Sequence, residues 1–242
     1  MARVRAAILA AGRGVRMGGG QPKTLMPVAE GKGPLLQYIL EGLEKAGITD
    51  LLVVTGHRAE EVESYVTARW GDDNLTFVRN MRFASWGNFH SVRVALDQSP
   101  GFELLVVNSD IVVHPDVYRR VVEQRGDLIL AVQRKQRLDD EDMRVNLKGN
   151  RVLGVSKELS RGKSHGEYTG VSLLRGIAPR IYGDINNEWQ WRSKTRGYYE
   201  DVYNEMASQV DARAAEVAAG EYAEVDTPED LAAAVAVIDR HF

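Results

Sequence analysis

The chain has no cysteine in its 242 residues. It can therefore form neither a disulfide nor a thiolate metal site, and it suits a reducing compartment. Histidine is scarce. His57, His90, His114, His165 and His241 are scattered, without the spacing of a zinc site or a histidine-based triad. An excess of one charge sign is missing too: a net charge of −3 gives no electrostatic footprint for nucleic acid or an anionic membrane. No apolar run approaches the roughly 20 residues that span a bilayer. The opening "MARVRAAILAAG" starts basic, but its apolar run is short and gives way to glycine and charge, unlike a secretory leader. Repeats and low-complexity linkers are absent. These absences predict a cytoplasmic protein with no membrane insertion and no nucleic-acid partner. The hydrophobic share of 44% is enough for the core of one larger domain.

What is present is an alternation of short apolar runs with amphipathic segments. Strands are predicted at 6–12, 50–56, 75–80, 102–113 and 127–135, and helices at 33–48, 59–70, 88–98 and 114–126. This rhythm predicts a parallel α/β sheet with helices on both faces. After residue 136 it changes. "RVNLKGNRVLGVSKEL" reads as a hairpin around Gly149-Asn150, "GEYTGVSLLRG" as a strand, and "DVYNEMASQVDARA" as a helix. "VAAGEYAEVDT" reads as a strand, and "PEDLAAAVAVIDRHF" as a helix with Pro228 in its first turn. The tract 186–203 is rich in Trp, Tyr and charge.

The first apolar run stops at "LAAGRGVRMGGGQPK", a loop with little to pack and with Arg13, Arg16 and Lys23. A loop at the carboxyl edge of a first parallel strand is where α/β folds place ligands. Its glycines let backbone N–H groups approach a phosphate, and the basic side chains supply opposing charge. The pattern is neither the dinucleotide fingerprint, because Met17 stands where the third glycine belongs, nor a P-loop, because no G-K-[ST] occurs.

"LAAGRGVRM" followed by "PKTLMPV" resembles the signature of nucleotidyltransferases that join an NTP to a phosphorylated sugar or alcohol and release pyrophosphate. The resemblance continues in order through "GNFHSVRVAL", "VVNSDIVV", "DMRVNLKGNRVLGVSKEL", "GEYTGVSLL", "YYEDVYNEM" and "EYAEVDTPEDLAAA". These later blocks look most like the branch that includes bacterial phosphocholine cytidylyltransferases. The resemblance implies a three-layer α/β/α, Rossmann-like and GT-A-like fold with a mixed, mainly parallel sheet. One domain would cover residues 1–242, with an acceptor-binding region at 136–205. It also implies Mg²⁺ as cofactor, and as partners an NTP, CTP first, and a small phosphorylated alcohol or phosphonate. An exposed aromatic tract leaves a homodimer open.

Residue by residue, the resemblance places Lys23, Arg13 and Arg16 in catalysis. The arginines would meet the β- and γ-phosphates, and Lys23 would lie between the α-phosphate and the acceptor phosphate. Leu9, Ala10, Ala11, Gly12, Gly14, Val15, Asn88, Ser91 and Ser109 would bind nucleotide. Asp110 and Asp226 would hold the metal. Lys157, Glu167, Gly170, Tyr198, Glu200 and Asp201 would face the acceptor.

Structural alternatives stand beside several of these. Asn88 fits an N-cap, Asp226 or Thr227 fits the cap of the last helix, and Lys157 fits a surface lysine. Glu224, two residues before Asp226, either supports the metal or is solvated. His90 reads as surface or packing. Tyr198, Tyr199, Trp189 and Trp191 with nearby carboxylates would make a cage for a quaternary ammonium group, or would pack a core. Arg161, Lys163, His165, Arg192, Lys194 and Arg196 would suit a more anionic acceptor, or form a solvated face. Gly87 departs from the branch, which commonly has a second asparagine there.

Three other readings compete. A sugar-1-phosphate nucleotidyltransferase using UTP, dTTP or GTP often carries extra domains, and this chain ends in a helix without room for a C-terminal β-helix. A GT-A-type glycosyltransferase usually carries Asp-x-Asp at the "NSDI" position, where Asn108 stands here. A nucleotide-sensing subunit would lack the charges of the opening loop.

Overall fold

The computed structural model describes residues 3–14 and 21–242. Its elements follow in order: β1 (Arg3–Ala10), α1 (Leu35–Lys45), β2 (Leu51–Thr55), α2 (Ala59–Trp70), β3 (Leu75–Arg79), α3 (Phe89–Asp97), β4 (Phe102–Asn108), β5 (Ile111–Val113), α4 (Pro115–Glu123) and β6 (Leu128–Gln133). Then come β7 (Arg144–Lys148), β8 (Arg151–Val155), β9 (Gly166–Leu174), α5 (Ala178–Trp191), α6 (Tyr199–Met206), β10 (Ala212–Val217), β11 (Tyr222–Glu224) and α7 (Leu231–His241). Nine strands form one sheet in the order β3-β2-β1-β4-β9-β6-β10-β8-β7. Only β9 and β8 run against the common direction, so the sheet is mixed and mainly parallel, as expected.

Alternation along the strands divides the core. Ala7, Leu52, Val54, Leu104 and Val106 point to the face covered by α3, α5 and α6. Ala6, Ile8, Val53, Leu105 and Val107 point to the face covered by α1, α2 and α4. β1 and β4 are buried on both faces, which is why they read as unbroken apolar runs rather than alternating ones. A smaller cluster of Val28, Leu35, Val112, Val225, Ala234 and Val237 seats α7 against the β5–β11 ladder.

The sequence reading needs four corrections here. The run 102–113 is two strands, because the chain turns at Ser109–Asp110 and β5 leaves the main sheet to pair with β11. The helix read at 201–214 ends at Met206. Its alanine-rich continuation is β10, which pairs parallel with β6, so tertiary pairing overrides the helix propensity of alanine. The strand read at 217–227 is interrupted by a turn before β11. Finally, residues 178–191 form a helix, α5, that the sequence pattern does not predict. It carries Pro179, Gly183, two asparagines and two tryptophans, and it is held by packing rather than by propensity.

Candidate active site

The sheet grows outward from β1 through β2 to β3, and then the chain returns to lay β4 on the other side of β1. The crevice beyond the carboxyl ends of β1 and β4 is thus a topological switch point, the usual ligand position in such sheets. Two cavities open there, one of about 400 Å³ and one of about 460 Å³. They share Asn88, Asn108, Asp110 and Asp226 as a common wall.

The first cavity is lined by Leu9, Ala10, Ala11, Gly12 and Gly14 from the loop after β1, by Pro22, Lys23 and Thr24, and by Ser91 and Ser109. Gly14 has φ +56°, and a Cβ there would meet the Lys23 Cβ at 2.6 Å. Glycine is therefore required both for the left-handed turn and for the approach of Lys23. Lys23 begins a short 3₁₀ turn, Lys23–Leu25, after Pro22. Its ammonium lies 2.7 Å from Asp226 Oδ1 and 3.4 Å from Asp110 Oδ2.

The carboxylates meet because β5 pairs antiparallel with β11, with Ile111 opposite Glu224. One more backbone bond, Val225 N–H to the Asp110 carbonyl at 2.8 Å, extends this ladder. Asp110, Glu224 and Asp226 each present an oxygen, all within 4.8 Å of one another. Asp110 Oδ1 is buried with no hydrogen-bond partner among the described residues. Desolvation raises the Asp110 pKa, the Lys23 charge opposes this, and Asp226 adds to the rise. Glu224 is raised as well, by desolvation and then by the charges of Asp110 and Asp226. Three hard oxygen donors that repel one another, with one oxygen orphaned, fit a divalent cation of the Mg²⁺ type.

The second cavity contains Lys157, Glu167, Gly170, Tyr198 and Glu200, all anticipated, together with Glu141, Asp142, Tyr168, Tyr222 and Glu224. Gly170 has φ +79°, and a Cβ there would press on the Asn108 side chain. Glu167 is buried and paired with Lys135 at 2.5 Å, and desolvation nonetheless raises its pKa. Glu200 is 5% exposed, and burial pushes its pKa up to about 8. Lys157 leans toward Glu141 at 3.1 Å.

Several expectations need correcting. Asp201 lines neither cavity: its carboxylate accepts from Tyr198 N–H and closes the capping box of α6. Arg13 also lies outside both cavities, exposed, with its guanidinium 5.8 Å from the Phe83 ring. Val15 and Arg16 lie outside the described residues. Among the described residues no aromatic cage forms at the acceptor cavity. Trp189 packs in the core on Phe89, Trp191 is exposed outside the cavity, and Tyr199 is buried behind the wall. The basic cluster does not face the acceptor cavity either. Arg192 pairs with Glu188, Lys194 lies over Trp189, and the His165 ring accepts from Leu147 N–H.

The alternatives for Asn88 resolve in an unexpected way. It occupies the N-cap position of α3 but makes no cap bond there; its Oδ1 accepts from Tyr199 N–H at 3.0 Å, at the start of α6. Gly87 has a packing reason: a Cβ would fall 1.9 Å from the Gly197 carbonyl. Sequence reasoning missed Tyr168, Tyr222, Glu141 and Asp142 as wall residues. Only the strand alternation in "GEYTG" and "EYAEV" carried any signal for the two tyrosines.

The family model of the MobA-like NTP transferase domain matches residues 6–183. The bifunctional IPC transferase and DIPP synthase of Rubrobacter xylanophilus is 32% identical over 234 residues, covering 94% of this chain and 50% of that protein. The chain thus spans about half the length of this relative. The inositol-1-phosphate CTP transferase from T. maritima superposes with a TM-score of 0.81 at 18% identity, over 98% of this chain and 97% of that one. The CTP:phosphocholine cytidylyltransferase from Streptococcus pneumoniae gives a TM-score of 0.74 at 21% identity, over 94% and 96%. The structural likenesses bear on the fold, and the profile and the Rubrobacter relative carry the assignment: the chain belongs to the family of MobA-like NTP transferase domains and is a nucleotidyltransferase.

Proposed function

We propose that the protein joins CTP to a small phosphorylated alcohol of the polyol class, releases pyrophosphate and uses Mg²⁺. The observation that carries this is the meeting of two cavities at Asp110 and Asp226, both paired with Lys23 of the first cavity, with a glycine-rich loop on one side and a polar pocket on the other. CTP is favoured by the names of both superposed enzymes. A polyol is favoured over choline because the second cavity offers carboxylates, tyrosines and Lys157, without an aromatic cage. Residues 1–242 are read as one nucleotidyltransferase unit, and 136–205 supply half of the acceptor wall, from Glu141 to Glu200.

In this reading an oxygen of the acceptor phosphate attacks the α-phosphorus of CTP. The bond from that phosphorus to the bridging oxygen breaks, and pyrophosphate leaves with the electron pair. A phosphate oxygen is already anionic, so no side chain need act as a general base. The protein's work is positioning and charge neutralisation. Lys23 supplies a positive charge beside the shared wall, against Asp110 and Asp226. The amides from Ala11 to Gly14 face the triphosphate. Asp110 and Asp226, with Glu224 beside them, would hold the metal, which when bound neutralises phosphate charge.

The test is pyrophosphate release from CTP, UTP, ATP, GTP and dTTP with Mg²⁺, against inositol phosphates, phosphocholine, a phosphonate and hexose 1-phosphates. Release with CTP and an inositol phosphate is expected. Release only with a hexose 1-phosphate and UTP or dTTP would replace the proposal with the sugar reading.

A further inference from the structure

Behind the wall shared by the two cavities lies a buried residue that touches neither. Tyr199 is 0% exposed and is absent from both linings. It bonds nonetheless to both asparagines of that wall. Its backbone N–H donates to Asn88 Oδ1 at 3.0 Å, and its hydroxyl donates to Asn108 Oδ1 at 2.8 Å. Asn88 stands at the start of α3 and Asn108 at the end of β4, so one residue ties together two elements that enter both cavities.

The hydroxyl is itself held. Tyr199 and Tyr168 hydroxyls lie 3.1 Å apart, Tyr168 and Ser172 3.0 Å, and Ser172 and Tyr203 2.9 Å. A hydroxyl has one proton, and the Asn108 carbonyl oxygen can only accept. The bond to Asn108, the shortest that the Tyr199 hydroxyl makes, therefore uses the Tyr199 proton; the Glu200 carboxylate also lies against that hydroxyl, and Tyr168, Ser172 and Tyr203 form a buried chain behind it. Tyr168 also lines the acceptor cavity, so the chain touches the acceptor wall at its middle and ends at Asn108 on the wall that the two cavities share.

We propose that Tyr199 is a positioning residue that fixes Asn108, and with it the junction at which nucleotide and acceptor are brought into line. This rests on the nucleotidyl-transfer reading of the two cavities. It assigns to the first tyrosine of α6 a task in the reaction although that tyrosine meets no substrate. Misplacing reacting groups by a fraction of an ångström costs rate more than it costs binding of either substrate alone.

The test compares Y199F with Y203F. Both remove a fully buried hydroxyl from the same chain and keep the ring, and the Tyr203 hydroxyl has no contact with either asparagine. Each is expected to lower Tm by about 2–4 °C, the size of one buried hydrogen bond in a chain of this length. Y199F alone is expected to lower kcat by about 10-fold or more with KM for CTP nearly unchanged. The double variant Y199F/N108A should then be no worse than N108A. Equal kcat losses in Y199F and Y203F overturn the proposal, because the effect is then one of core stability. A crystal structure of Y199F gives a readout that needs no substrate: a turned or displaced Asn108 side chain supports the proposal, and an unmoved one overturns it. Wild-type protein silent toward every acceptor would defeat the proposed reaction and leave this structural readout intact.

Discussion

Lys23 sits between two carboxylates, so its removal has two consequences. K23A should lower kcat by roughly 10²–10³, the usual size for losing one charge that stabilises a transition state. It also leaves Asp110 and Asp226 facing each other without their cation. In metal-free buffer its Tm should fall below wild type, and added Mg²⁺ should raise Tm more in the variant than in wild type; thermal denaturation with and without Mg²⁺ checks both. Glu200 offers a second prediction. Burial raises its pKa from 4.5 to about 8 in the folded protein, so between those values the folded state binds more protons than the unfolded one. Stability is then lost as pH rises from about 4.5 through about 8. Glu200→Gln removes that loss, and should exceed wild type in urea-unfolding stability by on the order of 1–3 kcal/mol at pH 9, with a smaller difference at pH 5.

At the scale of elements, the start of α3 and the start of α6 are stapled together. Gly87 N–H donates to the Thr195 carbonyl at 2.9 Å, and Asn88 accepts from Tyr199. Gly87→Asn would restore the residue common in the resembling branch, yet its Cβ would strike the Gly197 backbone. It should cost about 1–3 kcal/mol in denaturant unfolding, the usual toll of overpacking. It should also raise KM for the acceptor more than for CTP, because Tyr198 and Glu200 at the start of α6 line the acceptor cavity. The opening loop was legible in advance because its glycines, Pro22 and Lys23 are a local signal with a local purpose. α5 and β10 were not. Their sequences are indifferent or misleading, and only packing against α3 and pairing with β6 decide their form. The split between β4 and β5 was hidden for the same reason: "VVNSDIVV" is apolar throughout apart from the turn that the β11 pairing imposes.

At the scale of the molecule, the site is assembled from residues far apart in sequence. Asp110 and Asp226 are brought together by a two-stranded ladder outside the main sheet, and α7 clamps that ladder through Val237 and Ile238. A ligand that bridges β1, β4 and β11 should therefore stabilise the whole fold. CTP with Mg²⁺ at 100 times its Kd should add about 2.7 kcal/mol and raise Tm by roughly 5–10 °C. In D110N the CTP-linked shift should lose its dependence on Mg²⁺, which calorimetric scans at fixed CTP and varied Mg²⁺ would show. Among the described residues no helix is long and apolar enough to cross a membrane.

The sequence by itself determined the α/β rhythm, the two-faced burial of the central strands and the glycine-rich turn with its lysine. Each of these follows from the covalent and conformational properties of neighbouring residues. The tertiary structure alone decided that β9 runs backwards between β4 and β6, that Glu200 faces the acceptor cavity, and that Asn88 bonds to α6 rather than capping its own helix. Strand order and side-chain partners depend on surfaces that meet only after the chain has folded. No local pattern in the sequence specifies which polar groups far apart in the chain will become partners.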